Sequence, residues 1–214
     1  MKKIIRKIVS RLVLPVVAGY KENTPLPEFG NKSENVHIQP PYRISNPRKI
    51  FLGNNIGIGP GSTLEAQKEY PRGWMRHPFG EHVEQTFDSS IMIGSGVTAT
   101  GSLQVVAFNE IVIEDDVMFA SNVFVCDGLH SIRSGDIPYK YQGIERIAPI
   151  YIRKGCWIGQ NVVILPGVEI GAYSVIGANS VVTKSIPTKT IAVGSPAKIM
   201  KRWNEATASW EPVT

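Results

Sequence analysis

Four histidines and two cysteines, with a scatter of carboxylates, are the side chains of this 214-residue chain best suited to move protons or attack carbon. His130 stands in the stretch NVFVCDGLHS, residues 122–131, where a regular apolar pattern gives way to an irregular segment. An imidazole, with an unperturbed pKa near ~6.5, can take the proton of a hydroxyl as that hydroxyl attacks a carbonyl carbon. Backbone N–H groups or small donors can hold the oxyanion that develops. A single histidine says little by itself. Asp127, three residues earlier, either meets a hydroxyl, orients the imidazole, or is a bend residue bonding nearby backbone. Asn109 and Glu110 close the preceding apolar stretch, and Asp136 and Glu145 follow in the irregular segment. Which carboxylate orients His130 stays open. Cys126 occupies a small-residue place and Cys156 an inward one in the pattern below, and buried thiols are inert, so covalent catalysis through sulfur is not expected.

The elements that must position these groups repeat every six residues. Ile152, Ile158, Ile164, Ile170, Ile176 and Val182 stand six apart, and four places after them come Cys156, Val162, Val168, Ser174, Ser180 and Ile186. The spacing continues upstream through Ile113, Phe119 and Val125, then Ile93, Ala99 and Val105, then Leu52, Ile58 and Leu64, with Ile38 and Ile44 at its start. The phase jumps by two between Ile50 and Leu52 and between Ile111 and Ile113, as an extended turn would require. One hexad is one short strand and one bend, the bend favouring small residues or glycine. Three hexads close a triangular coil of 18 residues, and stacked coils bury an aliphatic column. Two segments interrupt the register, residues 65–90 and 131–149; long excursions from a solenoid collect on one face and are often functional.

Composition narrows the classes further. With 43% hydrophobic residues and a net charge of +5, intrinsic disorder is not expected. Two cysteines cannot form a disulfide framework. Residues 1–20 carry Lys2, Lys3, Arg6, Lys7 and Arg11 against Ile4, Ile5, Ile8, Val9, Leu12 and Val13, which predicts an amphipathic helix. Such a helix either packs on protein or lies on an anionic membrane surface; its apolar run is too short to span a bilayer. Residues 196–210 predict a short terminal helix with a basic face. Basic residues sit mostly at the two ends with no aromatic reader motif between them, so nucleic acid is not an expected partner.

The hexads, and above all the string CWIGQNVVILPGVEIGAYSVIGANSVVTKSIPTKTIAVGSPAKIMKR from Cys156 to Arg202, resemble the hexapeptide-repeat acyltransferases, in their galactoside, maltose and polysaccharide O-acetyltransferase branch. The likeness is tight over residues 111–202, looser over 38–110 and weak over 1–37. It implies an all-β solenoid, a left-handed parallel β-helix assembled as a homotrimer with sites between protomers. The expected organisation is an N-terminal helix and lead-in over 1–37, the β-helix over 38–195 with its two insertions, and a helical tail over 196–214. The resemblance makes His130 the general base and acetyl-CoA the acyl donor. Where many relatives carry Asp-His-x-His, this chain has Asp127-Gly128-Leu129-His130. Acceptor contacts would come from Asp127, Asn109 and Trp157. Gly159, Gln160, Gly177 and Ala178 would let the pantetheine arm approach, Thr183 and Lys184 would meet that arm, and Pro196, Lys198 and Arg202 the adenine and its phosphate. Gamma-class carbonic anhydrases share this fold, but His37, His77 and His82 fall outside the clean hexads, so a metal site is not expected.

The reading at this level is an acetyl-CoA-dependent O-acetyltransferase of a sugar hydroxyl in surface polysaccharide or lipopolysaccharide biosynthesis, cytoplasmic and peripheral at the inner membrane surface. An N-acetyltransferase of an amino sugar, a serine or antibiotic acetyltransferase, and a non-catalytic β-helix scaffold are the alternatives.

Overall fold

The structure, a computed structural model, describes residues 25–72 and 83–213. The period of six becomes a three-faced coil of parallel strands. The first face stacks Val36–Ile38, Ile56–Ile58, Thr98–Ala99, Met118–Phe119, Trp157–Ile158, Val175–Ile176 and Thr190–Val193. The second stacks Tyr42–Ser45, Ser62–Ala66, Gln104–Ala107, Phe124–Cys126, Val163–Ile164 and Val181–Val182. The third stacks Ile50–Leu52, Ser90–Ile93, Glu110–Ile113, Ile150–Ile152 and Glu169–Ile170, and Ile186 adds a last bridge to Ile170. The chain visits the faces in that order, coil after coil.

Each strand turns its anchor and the residue two before it inward, and the residue between them outward. Cys156 and Ile158 are therefore 1% and 0% exposed while Trp157 is 49% exposed. Aliphatic ladders such as Ile113, Ile152 and Ile170 stack directly through the parallel register. Full burial of each such side chain stabilises by about 1.5–3 kcal/mol. The corner between the first and second faces is tight. A side chain at Gly159 would lie 2.7 Å from the Ala178 nitrogen, and Asn122, Asn161 and Asn179 take left-handed backbone there and bond one another in a ladder.

The corner between the second and third faces differs. Val105 pairs with Val125, a coil of twenty residues, whereas Ile158 pairs with Ile176, a coil of eighteen. The extra residues lie after Ser45 and after Ala107, which accounts for the two phase jumps. Both insertions leave the coil at this same corner. The first runs from Gln67 to Ser89, slightly inside its predicted limits, because Ser62–Ala66 stays on the second face. The second begins at Asp127, four residues earlier than predicted, and returns at Ile150.

The predicted C-terminal helix is corrected. Lys198–Asn204 is a strand, antiparallel to Thr190–Val193 and to Ser209–Pro212, with Trp203 edge-to-face on Trp210 at 5.5 Å. The last parallel strand of the first face offers a row of unpaired N–H and C=O groups, and the tail satisfies them as a β-meander where a helix could not. At the other end, Leu26 and Phe29 pack on the core, and Gly30 donates to the Ile50 carbonyl, which covers the first coil. The predicted helix over residues 1–20 lies outside the described residues. No helix among the described residues is long and apolar enough to cross a membrane.

Candidate active site

The second insertion opens with a two-residue strand, Leu129–His130, antiparallel to Ile144–Glu145. His130 therefore lies in the first strand of the excursion, past the coil. Gly128 makes this possible, since a side chain there would come within 2.6 Å of the Phe108 ring and 3.0 Å of Ile144. His130 is exposed, and its ring lies edge-to-face on Tyr70, centroids 5.3 Å apart at 71°.

Tyr70 belongs to the first insertion, so the two insertions meet at the histidine. The Tyr70 hydroxyl donates to the Lys140 carbonyl at 2.5 Å, and burial raises its pKa, keeping it a donor. Gln85 of the first insertion clasps Ile144 of the second: its amide nitrogen donates to the Ile144 carbonyl at 2.9 Å, and its oxygen accepts from the Ile144 N–H at 2.6 Å. Val83 donates to the Tyr141 carbonyl at 3.1 Å. Together they wall a cavity of about 240 Å³ lined by Arg43, Gln67, Glu69, Tyr70, Arg72, Phe108, His130 and Ile144. That is below the roughly 300–1,000 Å³ of sites for drug-sized ligands, and suits a single ring. A larger groove of about 1130 Å³ follows the lead-in from Leu26 to Val36 but carries no histidine or cysteine.

Asp127 is corrected to a structural part. It is 0% exposed, and its two oxygens accept from the N–H groups of Phe108 at 2.5 Å and Asn109 at 2.9 Å. These are the amides of the extended corner, which point away from the ladder and need an acceptor. Burial raises the Asp127 pKa, and the backbone donors oppose the shift. Asn109 is exposed at that corner, one coil below. Glu110 turns to the third face and accepts from the Tyr151 hydroxyl at 2.9 Å. Glu145 accepts from Arg133 at 2.7 Å and Asp136 is exposed in the second insertion. Asp127 and Glu145 are thus committed elsewhere, and the neighbour on His130 is Tyr70, which sequence reading noted only as part of an excursion.

The remaining predicted residues gather on other parts of the coil. Trp157 stands outward on the first face, between Met118 and Val175 in the ladder. Gly159 with Gln160, and Gly177 with Ala178, stack one coil apart at the first-to-second corner. Thr183 and Lys184 are exposed after the last strand of the second face, on the corner that carries His130 lower down. Pro196, Lys198 and Arg202 are exposed at the C-terminal meander, Lys198 and Arg202 within its long strand. Within one chain, then, the width of the second face separates Trp157 and the glycine corner from His130. Burial pushes both thiols, Cys126 and Cys156, up to about 11, which matches their expected inertness. His37 projects from the first face, and His77 and His82 lie outside the described residues.

A coil of stacked hexads is an architecture that known proteins share. Residues 149–184 match the family model described as bacterial transferase hexapeptide (six repeats). A protein of Escherichia coli K12 named as a lipopolysaccharide biosynthesis O-acetyl transferase, WbbJ, is 33% identical over 181 residues, covering 81% of this chain and 82% of that one. Galactoside O-acetyltransferase of Lactococcus lactis is 35% identical over 117 residues, 55% of each chain. Among solved structures, AntD, an N-acyltransferase from Bacillus cereus in complex with dTDP and 3-hydroxybutyryl-CoA, superposes with a TM-score of 0.65 at 22% identity, covering 84% of this chain and 86% of that one; at that identity it speaks for the fold alone. The chain belongs to the hexapeptide-repeat acyltransferases, in their O-acetyltransferase branch.

Proposed function

We propose that this enzyme transfers an acetyl group from acetyl-CoA to a sugar hydroxyl, with His130 as the general base. The observation that carries the reading is the exposed His130 at a ring-sized cavity walled by both insertions. In this reaction the acceptor oxygen attacks the thioester carbonyl carbon while the His130 imidazole takes the hydroxyl proton. The C–S bond then breaks, and the proton passes to the departing CoA sulfur. Both thiols of the chain are buried, which supports direct transfer without an acyl-enzyme.

Left-handed winding and a homotrimer are part of the same reading. Trp157, Gly159, Gln160, Gly177 and Ala178 would serve donor and acceptor only if a second copy laid its first face against the His130 corner. The exposed row of Met118 and Trp157 on that face favours such a contact. Thr183, Lys184, Pro196, Lys198 and Arg202 would line the CoA arm and its phosphate. The relative WbbJ supports surface-glycan biosynthesis as the setting. Work at the cytoplasmic leaflet, with the basic residues 1–20 as a peripheral contact, belongs to the same proposal and rests on the charge pattern of those residues.

Release of CoA thiol from acetyl-CoA, measured against sugars, amino sugars, serine and chloramphenicol, tests the reading. Release that depends on a sugar hydroxyl and vanishes in His130→Ala supports it. A profile confined to amines would replace it with N-acetyl transfer, and no CoA affinity at all would leave a scaffold.

A further inference from the structure

The cavity beside His130 contains an ionic cluster that the acetyl-transfer chemistry does not use. Glu65 sits on the second face, one residue past the inward anchor Leu64, so alternation turns it outward. It is nevertheless only 2% exposed, because the first insertion covers it. Arg43 from the coil below and Arg72 from the insertion both pair with its carboxylate, Arg43 with Oε1 and Arg72 with Oε2. Gln67 donates to the same Oε2 at 2.7 Å and accepts from Arg72 Nε at 3.1 Å. Oε1 is buried, and Arg43 meets it as an ion pair without a well-directed hydrogen bond.

The coil itself has no need of this charge. In the parallel register the places equivalent to Glu65 in the next two coils hold Val106 and Cys126, both uncharged. A buried ion pair replaced by packed apolar groups is often neutral or stabilising, so burial of Glu65 is poorly explained by stability. What the cluster achieves is to fix two guanidiniums at the wall of the cavity that holds His130. Each guanidinium has five N–H donors in a planar fork suited to carboxylate and phosphate oxygens. Glu65 carries one negative charge against their two positive ones. Glu69 also lines the cavity, so the formal charges there balance, and what the cluster supplies is the fixed N–H donors of the two guanidiniums.

We propose that Arg43 and Arg72, held by the buried Glu65, form an anion subsite beside His130, so that the acceptor is a sugar bearing an acidic group, a carboxylate or a phosphate. This inference rests on the acetyl-transfer reading for its acceptor and adds the class of sugar. The subsite grips the acidic group, and the ring then lies between the guanidiniums and the imidazole.

The test compares methyl galactoside, galacturonic acid and a galactosyl phosphate as acceptors in the thiol-release assay with the full chain. At least one acidic sugar should exceed the neutral one in kcat/KM by about tenfold or more, mostly through KM, as charge-assisted hydrogen bonds would give. Which acid wins separates carboxylate from phosphate. Arg43→Gln should collapse that acidic-to-neutral ratio toward one, and Arg43→Lys should restore part of it. Arg43 partners the buried Glu65 Oε1, so Arg43→Gln should also lose stability, but the ratio of two acceptors measured on one preparation does not depend on the folded fraction. A ratio near one in the native protein, or a ratio that Arg43→Gln leaves standing, overturns the proposal. If no sugar accelerates thiol release, the acetyl-transfer reading fails separately, and calorimetric titration decides the subsite. Binding of galacturonic acid or the galactosyl phosphate that Arg43→Gln weakens tenfold sustains it, and binding of neither overturns it.

Discussion

The coils on either side of Ile150 are built from the same hexad but do different work. From Ile150 to Val182 each turn takes eighteen residues, the closing turn from Ile176 to Ala192 takes sixteen, and the corners are tight. Before it, turns take twenty residues or more, and every extra residue falls on one corner. The tight coils satisfy their backbone mostly by the ladder, with the hydroxyls of Ser185, Ser174 and Ser180 accepting from the N–H groups of Glu169, Thr190 and Gly194. An extended corner leaves amides without ladder partners, and the chain must supply an acceptor, as Asp127 does for Phe108 and Asn109. The same corner admits both insertions, two coils apart with the strand Gln104–Ala107 between them, and these enclose the cavity. Repetition makes a scaffold; departures from it, stacked on one corner, make a site.

This contrast can be broken at several points. The largest effect belongs to the extended corner's chemistry: His130→Ala should lower kcat by about a hundred- to ten-thousandfold, the range for a general base, with acetyl-CoA binding retained in calorimetry. Equal turnover in the variant would remove His130 from the mechanism. In the tight coils the same truncation should act on stability instead. Ile164→Ala, at a 0% exposed site, should cost about 2–5 kcal/mol in urea unfolding. Asp127→Ala sits between the two. Leaving the corner amides unpaired should destabilise by about 1–3 kcal/mol, and thiol release should fall because the His130 strand starts from that residue. Stability unchanged in that variant would show that the corner does not depend on the carboxylate.

Gln85→Ala should have a smaller effect, about 0.5–1.5 kcal/mol for each of its two hydrogen bonds to Ile144. It should also raise KM for the acceptor several-fold, read in the thiol-release assay, since it loosens one insertion from the other. Smallest of all is the response to thiol reagents. With Cys126 and Cys156 buried and their pKa values pushed up to about 11, the folded protein should resist iodoacetamide at pH ~8 and keep its activity. Rapid loss of activity would reopen a sulfur nucleophile.

Much of the fold was legible because a hexad places its inward residues at fixed intervals whatever surrounds them. The phase jumps at Ile50 and Ile111 marked the extended corners before any coordinates did. The tail was misread for a physical reason: the apolar and basic residues of 198–203 are too few to separate a helical period from a strand's, and the open edge of the first face decided between them. At the candidate site, His130 could be nominated from its context, whereas its neighbours Tyr70, Gln85, Arg43 and Glu65 could not. Each is remote in sequence from the residue it meets, and no local period connects them.

What the sequence determined by itself is the repeat: which side chains point inward, where turns lengthen, and where the chain departs from the coil. Those follow from spacing alone, because a strand of fixed rise and a bend of fixed length leave no other way to bury the anchors. Tertiary structure decided that both departures share one corner, that their side chains interlock around His130, and that Asp127 serves the backbone. Such outcomes depend on the stacking of coils, which brings together residues tens of positions apart and gives a buried polar group its partners.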